Sequence, residues 1–238
     1  MKVLVDIGNS RTKYQIDQAS NALTTTAENN IIDKPWLDEH WGAATYVVIS
    51  SVKRGDLPDM IVSWSKNKSI PVKFINSEKK ALGITNSYEK PETLGVDRWL
   101  SMVGGAKIYP NIGIVIVDAG TATTVDVIDS HGIHQGGWIL SGIDLMLKQL
   151  GQHTSKVNYD ISDTSNTAFG QNTSGCVNNA AWAATVSMIE LGMSKAEKEF
   201  SITQCVLLGG NAEKLSKIIK QPNILVNQNL IFEGLKRY

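Results

Sequence analysis

Val115-Ile116-Val117-Asp118-Ala119-Gly120-Thr121-Ala122-Thr123-Thr124-Val125-Asp126-Val127-Ile128-Asp129 is the stretch on which the reading of this chain turns. It continues an apolar, β-branched run that begins at Ile112, and such a run reads as a buried strand. The run stops at an Asp-x-Gly-Thr turn, and a second β-rich run, Thr123 to Ile128, follows at once. The pattern is strand, tight turn, strand, with a carboxylate and a hydroxyl at the tip. Gly120 removes a side chain, so backbone N–H groups can approach an anion closely. Thr121, Thr123 and Thr124 add hydroxyl donors. Asp118 cannot bind a phosphate directly, since both are negative, but it can hold a cation that neutralises one, or a water on that cation. Taken alone, a hairpin whose Asp makes an Asx-turn accounts for the stretch equally well.

The stretch has a counterpart at the other end of the chain. Met1 to Ser10 reads Met-Lys-Val-Leu-Val-Asp-Ile-Gly-Asn-Ser, and Lys13-Tyr14-Gln15-Ile16 follows. This is again an apolar strand, Asp-x-Gly, a small polar residue and a second strand. Two copies of one device predict two similar halves, divided near Pro110 and facing each other across a ligand cleft.

Composition narrows the class. The chain has 238 residues, 42% apolar and 19% charged, which is enough for a full core in one large or two smaller domains. Lys+Arg and Asp+Glu both number 23, so the formal net charge is zero and the broad electrostatic footprint of a nucleic-acid binder is missing. Cys176 and Cys205 form neither a ligand cluster nor a disulfide framework. No apolar run reaches transmembrane length and no cleavable leader opens the sequence. A soluble, cytoplasmic protein without membrane partners is the expectation. The four histidines (His40, His131, His134, His153) do not form a metal-binding pattern.

Between the two hairpins the pattern alternates strand and helix, which predicts an α/β architecture. Arg11 and Lys13 follow the first tip, either as exposed hairpin charge or as a cation closing over a phosphate. The polar region Asp17 to His40, with Ala22-Leu23 and Ile31-Ile32, reads as one strand and a short helix near Pro35 to Trp41. Thr45 to Val52 is a strand ending in small polar residues. Leu57 to Lys66 is a helix, and Ile70 to Ile75 a short strand placed at an edge by Pro71. Pro91 and Gly95 bracket a loop. Behind it Trp99, Met102, Val103 and Ala106 mark one face of a helix, with Asp97 and Arg98 in its first turn. Asp97 there either complements the helix dipole or serves as a base, and Arg98 could clamp an anionic group.

In the second half, Gly136, Gly137 and Gly142 either let backbone approach something or bend a strand into a helix that runs to about Leu150. Gly151 to Asn172 reads as loop. Asn172-Thr173-Ser174 can cap a helix over Gly175 to Phe200, with Val177, Ala181, Ala184, Met188 and Leu191 expected on its buried face. Gln204 to Leu208 is a strand, and Gly209-Gly210-Asn211-Ala212 opens a helix through Ile219. That glycine turn is either a nucleotide contact or an ordinary βα turn.

Asp6-Ile7-Gly8-Asn9, Leu94-Gly95-Val96-Asp97-Arg98, Asp118-Ala119-Gly120-Thr121-Ala122-Thr123, Gly136-Gly137-Trp138-Ile139 and Asn172-Thr173 together resemble the type III pantothenate kinase family in order and spacing, as far as about Asn211. The resemblance implies an α/β fold of two ribonuclease-H-like (actin/sugar-kinase superfamily) domains, taken as residues 1–110 and 111–238, with a nucleotide cleft between them, and commonly a homodimer. It implies the first step of coenzyme A biosynthesis, in which ATP and pantothenate give ADP and 4'-phosphopantothenate. Asp6, Ile7, Gly8, Asn9, Ser10, Arg11, Thr12 and Lys13 would then line the ATP phosphates, and Thr121 would contact ATP. Tyr88, Gly95, Val96, Asp97, Arg98 and Thr173 would hold pantothenate, with Asp97 as proton acceptor. Asp118 would ligate a monovalent cation such as potassium or ammonium, beside the magnesium that accompanies ATP. Ser10 stands where many relatives have Thr, and Ser141 where they often have Pro.

The residues read by themselves agree with that chemistry, because phosphoryl transfer needs charge neutralisation and in-line placement more than covalent participation. A helix N-terminus makes Asp97 a weaker base, so orienting the hydroxyl carries weight beside proton abstraction. Two alternatives share the Asp-x-Gly hairpins: a kinase of another small hydroxylated substrate, and a nucleotide-binding regulatory or accessory protein. Tyr88 with Leu94 to Arg98 speaks for pantothenate against the first, and the pair Asp97 and Arg98 speaks against the second.

Overall fold

The structure, a computed structural model, describes every residue except 18–22, 53–54, 154–158 and 163. The described chain forms two compact units, Met1–Ile108 together with Asn229–Tyr238, and Tyr109–Gln228. The first contains β1 (Lys2–Ile7), β2 (Arg11–Asp17), β3 (Thr25–Glu28), α1 (Lys34–Trp41), β4 (Tyr46–Ser51), α2 (Asp56–Lys68), β5 (Val72–Phe74), the short ribbon β6 (Lys80–Ala81) and β7 (Ile84–Thr85), and α3 (Val96–Ile108). The second contains β8 (Ile114–Ala119), β9 (Ala122–Ile128), β10 (His134–Ser141), α4 (Ile143–His153), α5 (Thr173–Phe200), β11 (Gln204–Leu208), α6 (Ala212–Ile218) and β12 (Ile224–Val226). Helix α7 (Leu230–Leu235) then returns to the first unit.

The two sheets have one plan. Their orders are β3-β2-β1-β4-β5 and β10-β9-β8-β11-β12, each of five strands. In both, the first strand of the unit lies central, antiparallel to the hairpin strand that follows it and parallel to the next strand after a helix. Asp6 and Asp118 occupy the same place, next to last in the central strand. Side chains alternate across a strand. Val3, Val5 and Ile7 therefore join the core with Leu37, Trp41, Ile61 and Trp64 of α1 and α2. Leu4 and Asp6 point to the opposite face. In the second sheet Val115, Val117 and Ala119 join a core with α4, α5 and α6, and Asp118 points away from it.

Two expectations change. The division at residues 110 and 111 gives the C-terminal segment to the second half, but Asn229–Tyr238 belongs to the first unit. Leu230, Ile231, Phe232 and Leu235 of α7 are buried, and α7 packs on α3 so closely that a Cβ on Gly234 would lie 2.2 Å from the Leu100 carbonyl oxygen. The buried face of α5 is Asn178, Ala181, Trp182, Thr185, Val186, Ile189, Gly192, Met193 and Ala196, while Ala184 and Leu191 are exposed. Choosing apolar residues alone misplaces the stripe, because two polar members are satisfied locally: Asn178 Nδ2 donates to the Asp160 and Ser174 carbonyls, and Thr185 Oγ1 to the Ala181 carbonyl. The polar region after Asp17 holds the expected single strand, β3, followed by the short helix α1; Ala22 lies outside the described residues.

Candidate active site

The first tip is a hairpin turn closed by the Gly8 N–H donating to the Arg11 carbonyl at 2.9 Å. Asn29, brought beside it by β3, holds the turn from outside. Its Nδ2 donates to the Gly8 and Asn9 carbonyls at 2.9 and 3.3 Å, its Oδ1 accepts from Thr12 Oγ1 at 2.7 Å, and its N–H donates to the Ser10 carbonyl. Thr12 is fully buried, so its hydroxyl serves the turn, and Ile7 is core, so it can offer a ligand only backbone. Asn9, Ser10 and Arg11 are exposed at the tip. The two basic residues part company: Arg11 Nε pairs with Glu28 Oε1 at 2.6 Å in solvent, whereas Lys13 lies across the ladder from Asp6.

Asp6 is the electrostatic centre of this unit. Burial pushes its carboxyl up to about 6, and the charge of Asp97 adds to the rise, while the cross-strand neighbours Ser50 and Lys13 pull the other way. Asp6 and Asp97 thus face each other closely enough for each to feel the other's charge. Asp97 stands in the first turn of α3, and its Oδ1 accepts the Arg98 N–H at 2.8 Å. A Cβ at Gly95 would sit 2.6 Å from that oxygen, so the residue before Val96 leaves room for the carboxylate to fold back. Arg98 is buried; its Nη1 donates to the Tyr88 hydroxyl at 2.8 Å, and its guanidinium carbon lies 5.7 Å from the Tyr88 ring centre. Tyr88, Gly95, Val96, Asp97 and Arg98 are therefore one constellation.

The second tip is held by backbone. Gly120 N–H donates to the Ala122 carbonyl, and Gly142 N–H to the Thr121 carbonyl at 2.9 Å, leaving the Thr121 side chain exposed. The glycine turn after β11 seats against Asp118: Gly209 has φ +90°, and a Cβ there would approach Asp118 Oδ1 to 2.4 Å. Gln228 grips that turn with both ends of its amide, accepting from Gly209 N–H and donating to the Gly209 carbonyl, each at 3.0 Å. A hard carboxylate oxygen over a bare glycine is chemistry suited to a cation. Thr173 is the first residue of α5, exposed, beside the cap in which Asn172 Oδ1 accepts the Gly175 N–H at 2.8 Å.

Asn29, Ser50 and Gln228 are participants that sequence reasoning did not pick out. Ser50 had the weak signal of a small polar residue ending a strand. Asn29 and Gln228 had none, since their partners lie 17 to 21 residues away in sequence.

Solved structures of similar architecture include a candidate Baf family transcriptional activator from Campylobacter jejuni, with TM-score 0.64, 22% identity and coverage of 99% of this chain and 96% of that one. They also include a candidate 2-dehydro-3-deoxygalactonokinase from Sinorhizobium meliloti, with TM-score 0.62, 10% identity and coverage of 100% and 97%. At these identities the likeness concerns the fold alone. The type III pantothenate kinase family profile matches residues 2–195. A type III pantothenate kinase from Colwellia psychrerythraea is 38% identical over the full length of both chains, and one from Pseudoalteromonas translucida is 33% identical over 99% of this chain and 94% of its own. The chain belongs to the type III pantothenate kinase family.

Proposed function

We propose that this protein transfers the γ-phosphoryl group of ATP to pantothenate, giving 4'-phosphopantothenate for coenzyme A biosynthesis. The observation that carries the reading is the constellation of the first unit, in which the Asp97 carboxylate lies beside Asp6 and the Arg98 guanidinium is oriented by Tyr88. Asp97 would orient the pantothenate hydroxyl and accept its proton, Arg98 would hold the pantothenate carboxylate, and Thr173 would add a contact. The phosphates would lie along Asp6 to Lys13, chiefly on the exposed Asn9 and Ser10 and on backbone N–H groups, and Thr121 would contact ATP. Burial and the charge of Asp97 raise the proton affinity of Asp6, an environment that a cation would relieve, so Asp6 fits the magnesium that travels with ATP. Asp118, over Gly209, fits a monovalent cation. Bound cations would supply charge neutralisation for the transferring group.

The test is ADP release across a panel of pantothenate, sugars and polyols. Release with pantothenate alone is expected. Release with a sugar or polyol instead would make the chain a kinase of that substrate, and ATP binding without turnover would make it a regulatory protein. Potassium or ammonium in place of sodium, at constant magnesium, should raise the rate; equal rates would remove the monovalent site.

A homodimer is part of the same proposal. Trp138 and Ile139 on the edge strand β10, with Leu191 and Phe200 on α5, leave large apolar side chains exposed on the second unit. Ile139→Asp should shift the sedimentation coefficient from dimer to monomer. Among the described residues no helix is long and apolar enough to cross a membrane. Both cysteines are free thiols, in keeping with the reducing cytoplasm proposed as its compartment.

A further inference from the structure

Ser77, Glu78 and Lys79 form a short segment whose three side chains reach the two stretches that carry the constellation and a third element far off in sequence. Ser77 Oγ donates to the Leu94 carbonyl at 2.8 Å, fixing the entry to the Gly95–Arg98 turn. Lys79 Nζ donates to the carbonyls of Asn86 and Tyr88, at 3.1 and 3.4 Å. The buried Asn86 completes that loop, accepting the Tyr88 N–H and donating to the Pro91 carbonyl. Between them, Glu78 Oε1 accepts from the Tyr238 hydroxyl at 3.0 Å, and that same hydroxyl accepts from the Trp99 indole Nε1–H at 2.9 Å. Trp99 is fully buried and directly follows Arg98.

We propose that Tyr238 is a positioning residue for the substrate constellation: its hydroxyl ties the first turn of α3, through Trp99, to the Ser77–Lys79 segment that also holds Tyr88 and Leu94. The assignment rests on the pantothenate reading of that constellation. Three features make the tie directional. The phenol donates to a carboxylate and accepts from an indole, so the hydroxyl has one orientation that serves both partners. Burial holds the phenol protonated, pushed up to about 12, so the donor persists throughout the working pH range. Lys73 Nζ lies 4.9 Å from the ring centre, and the adjacent Arg237 anchors the same chain end by donating to the Leu82 carbonyl. Helix α7 sets the middle of α3 by close packing at Gly234 and Leu100, and Tyr238 sets its start. Asp97 and Arg98 lie at that start, where a small displacement misaligns a hydroxyl and a carboxylate held at two ends of one substrate.

The decisive variant is Tyr238→Phe, which keeps the ring and deletes the shared hydroxyl. It should raise KM for pantothenate and lower kcat, so that kcat/KM falls by on the order of tenfold, below the ~10²-fold cost of a full 1 Å misplacement. KM for ATP should stay within about twofold. Amide hydrogen exchange at Tyr88 and at Val96 to Trp99 should quicken. Glu78→Gln, which retains an acceptor, should behave as wild type, and Glu78→Leu should match Tyr238→Phe. Trp99→Phe added to Tyr238→Phe should cost less than the sum of the two, since both delete one link. A Tyr238→Phe protein with wild-type kcat/KM for pantothenate overturns the proposal even if it melts earlier, and so does unchanged exchange at Val96 to Trp99. Failure of the wild-type chain to phosphorylate pantothenate would sink the functional reading instead, while the exchange measurement would still decide whether Tyr238 holds this segment.

Discussion

The Asp6 tip and the Asp118 tip occupy equivalent places in sheets of identical strand order, yet they are stabilised by different means. The first is braced by side chains: Asn29 gathers three carbonyls and a hydroxyl around it, and its carboxylate stands beside a second carboxylate, Asp97. The second is braced by close-packed backbone, with Gly142 and Gly209 against it and Gln228 gripping the glycine turn. The repeat conserves the geometry of the strand end, while the charge environment is set by what each unit inserts around it. In the first unit the Asp6 carboxyl is raised by burial and by the charge of Asp97. In the second, the Asp118 carboxylate is packed against the Gly209 backbone.

The sharpest way to break this contrast is to remove one carboxylate from the charged pair. Asp97→Asn keeps size and hydrogen bonding but no base, so kcat should fall roughly 10²–10⁴-fold with little change in KM. Asp118→Asn should act mainly through the potassium response and KM for ATP. A folded Asp97→Asn protein with near-wild-type kcat would take Asp97 out of the mechanism and leave it as a helix-dipole carboxylate. Similar kinetic defects from both variants, each insensitive to potassium, would erase the distinction between the tips.

The same pair has a stability cost that can be read from pH. Folded Asp6 holds its proton to about pH 6, against an ordinary carboxyl value of 3.8, so the folded state binds the proton more tightly than the unfolded one. Its contribution to stability is therefore fully present below about pH 4, declines as pH rises through 6, and stays lost above. At ~1.4 kcal/mol per pH unit of displacement the loss is roughly 3 kcal/mol at most. Asp6→Asn should melt above wild type at pH 8, with the gap closing between pH 6 and 4. Parallel melting temperatures across that range would show that Asp6 is not strained by its surroundings.

Much of this was legible in the sequence, and the limits are instructive. The two Asp-x-Gly hairpins and the strand Gln204–Leu208 are carried by local apolar pattern and turn chemistry, which needs no knowledge of the rest of the chain. The edge position of β5 follows from Pro71 in the same local way. The return of α7 to the first unit was not legible, because it depends on contact between Gly234 and Leu100, which are remote in sequence. The buried face of α5 was misread for a related reason: Asn178 and Thr185 look like surface residues until their local hydrogen bonds are known. At the candidate site, the residues proposed from short motifs were legible, while Asn29, Gln228 and Tyr238, whose hydrogen bonds span 17 residues or more, were not.

That remote contact gives the next test. Gly234→Ala puts a methyl group into the 2.2 Å gap to the Leu100 carbonyl oxygen, so α7 must move off α3. Overpacking of this kind costs about 1–3 kcal/mol. Gly210 in the second unit has open space around its Cβ position, so Gly210→Ala should leave the melting temperature almost unchanged. If the two variants melt alike, α7 is not docked as closely as the first unit requires.

The smallest effect expected concerns how α3 and α5 start, the helices on which Asp97, Arg98 and Thr173 are proposed to meet pantothenate. In the first unit, Asp97 stands in the first turn of α3, and its own carboxylate accepts the Arg98 N–H. In the second, α5 begins with Thr173, and the capping is done by a neighbour, since Asn172 Oδ1 accepts the Gly175 N–H, one of the donors that a helix start leaves without an intrahelical partner. Asn172→Ala deletes that acceptor and should cost ~1 kcal/mol of stability. Asn172→Asp restores it and adds a charge that the helix dipole favours, so it should melt at or above wild type. Because Thr173 is the first residue of the loosened turn, Asn172→Ala should also raise KM for pantothenate by a few fold, within the ~10-fold that 1.4 kcal/mol would represent. Asn172→Asp should not. Since the functional residues Asp97 and Arg98 sit inside their own cap, no variant of the residue preceding α3 can separate stability from binding in this way. An Asn172→Ala protein that loses stability yet keeps its KM would show that Thr173 makes no contact with pantothenate.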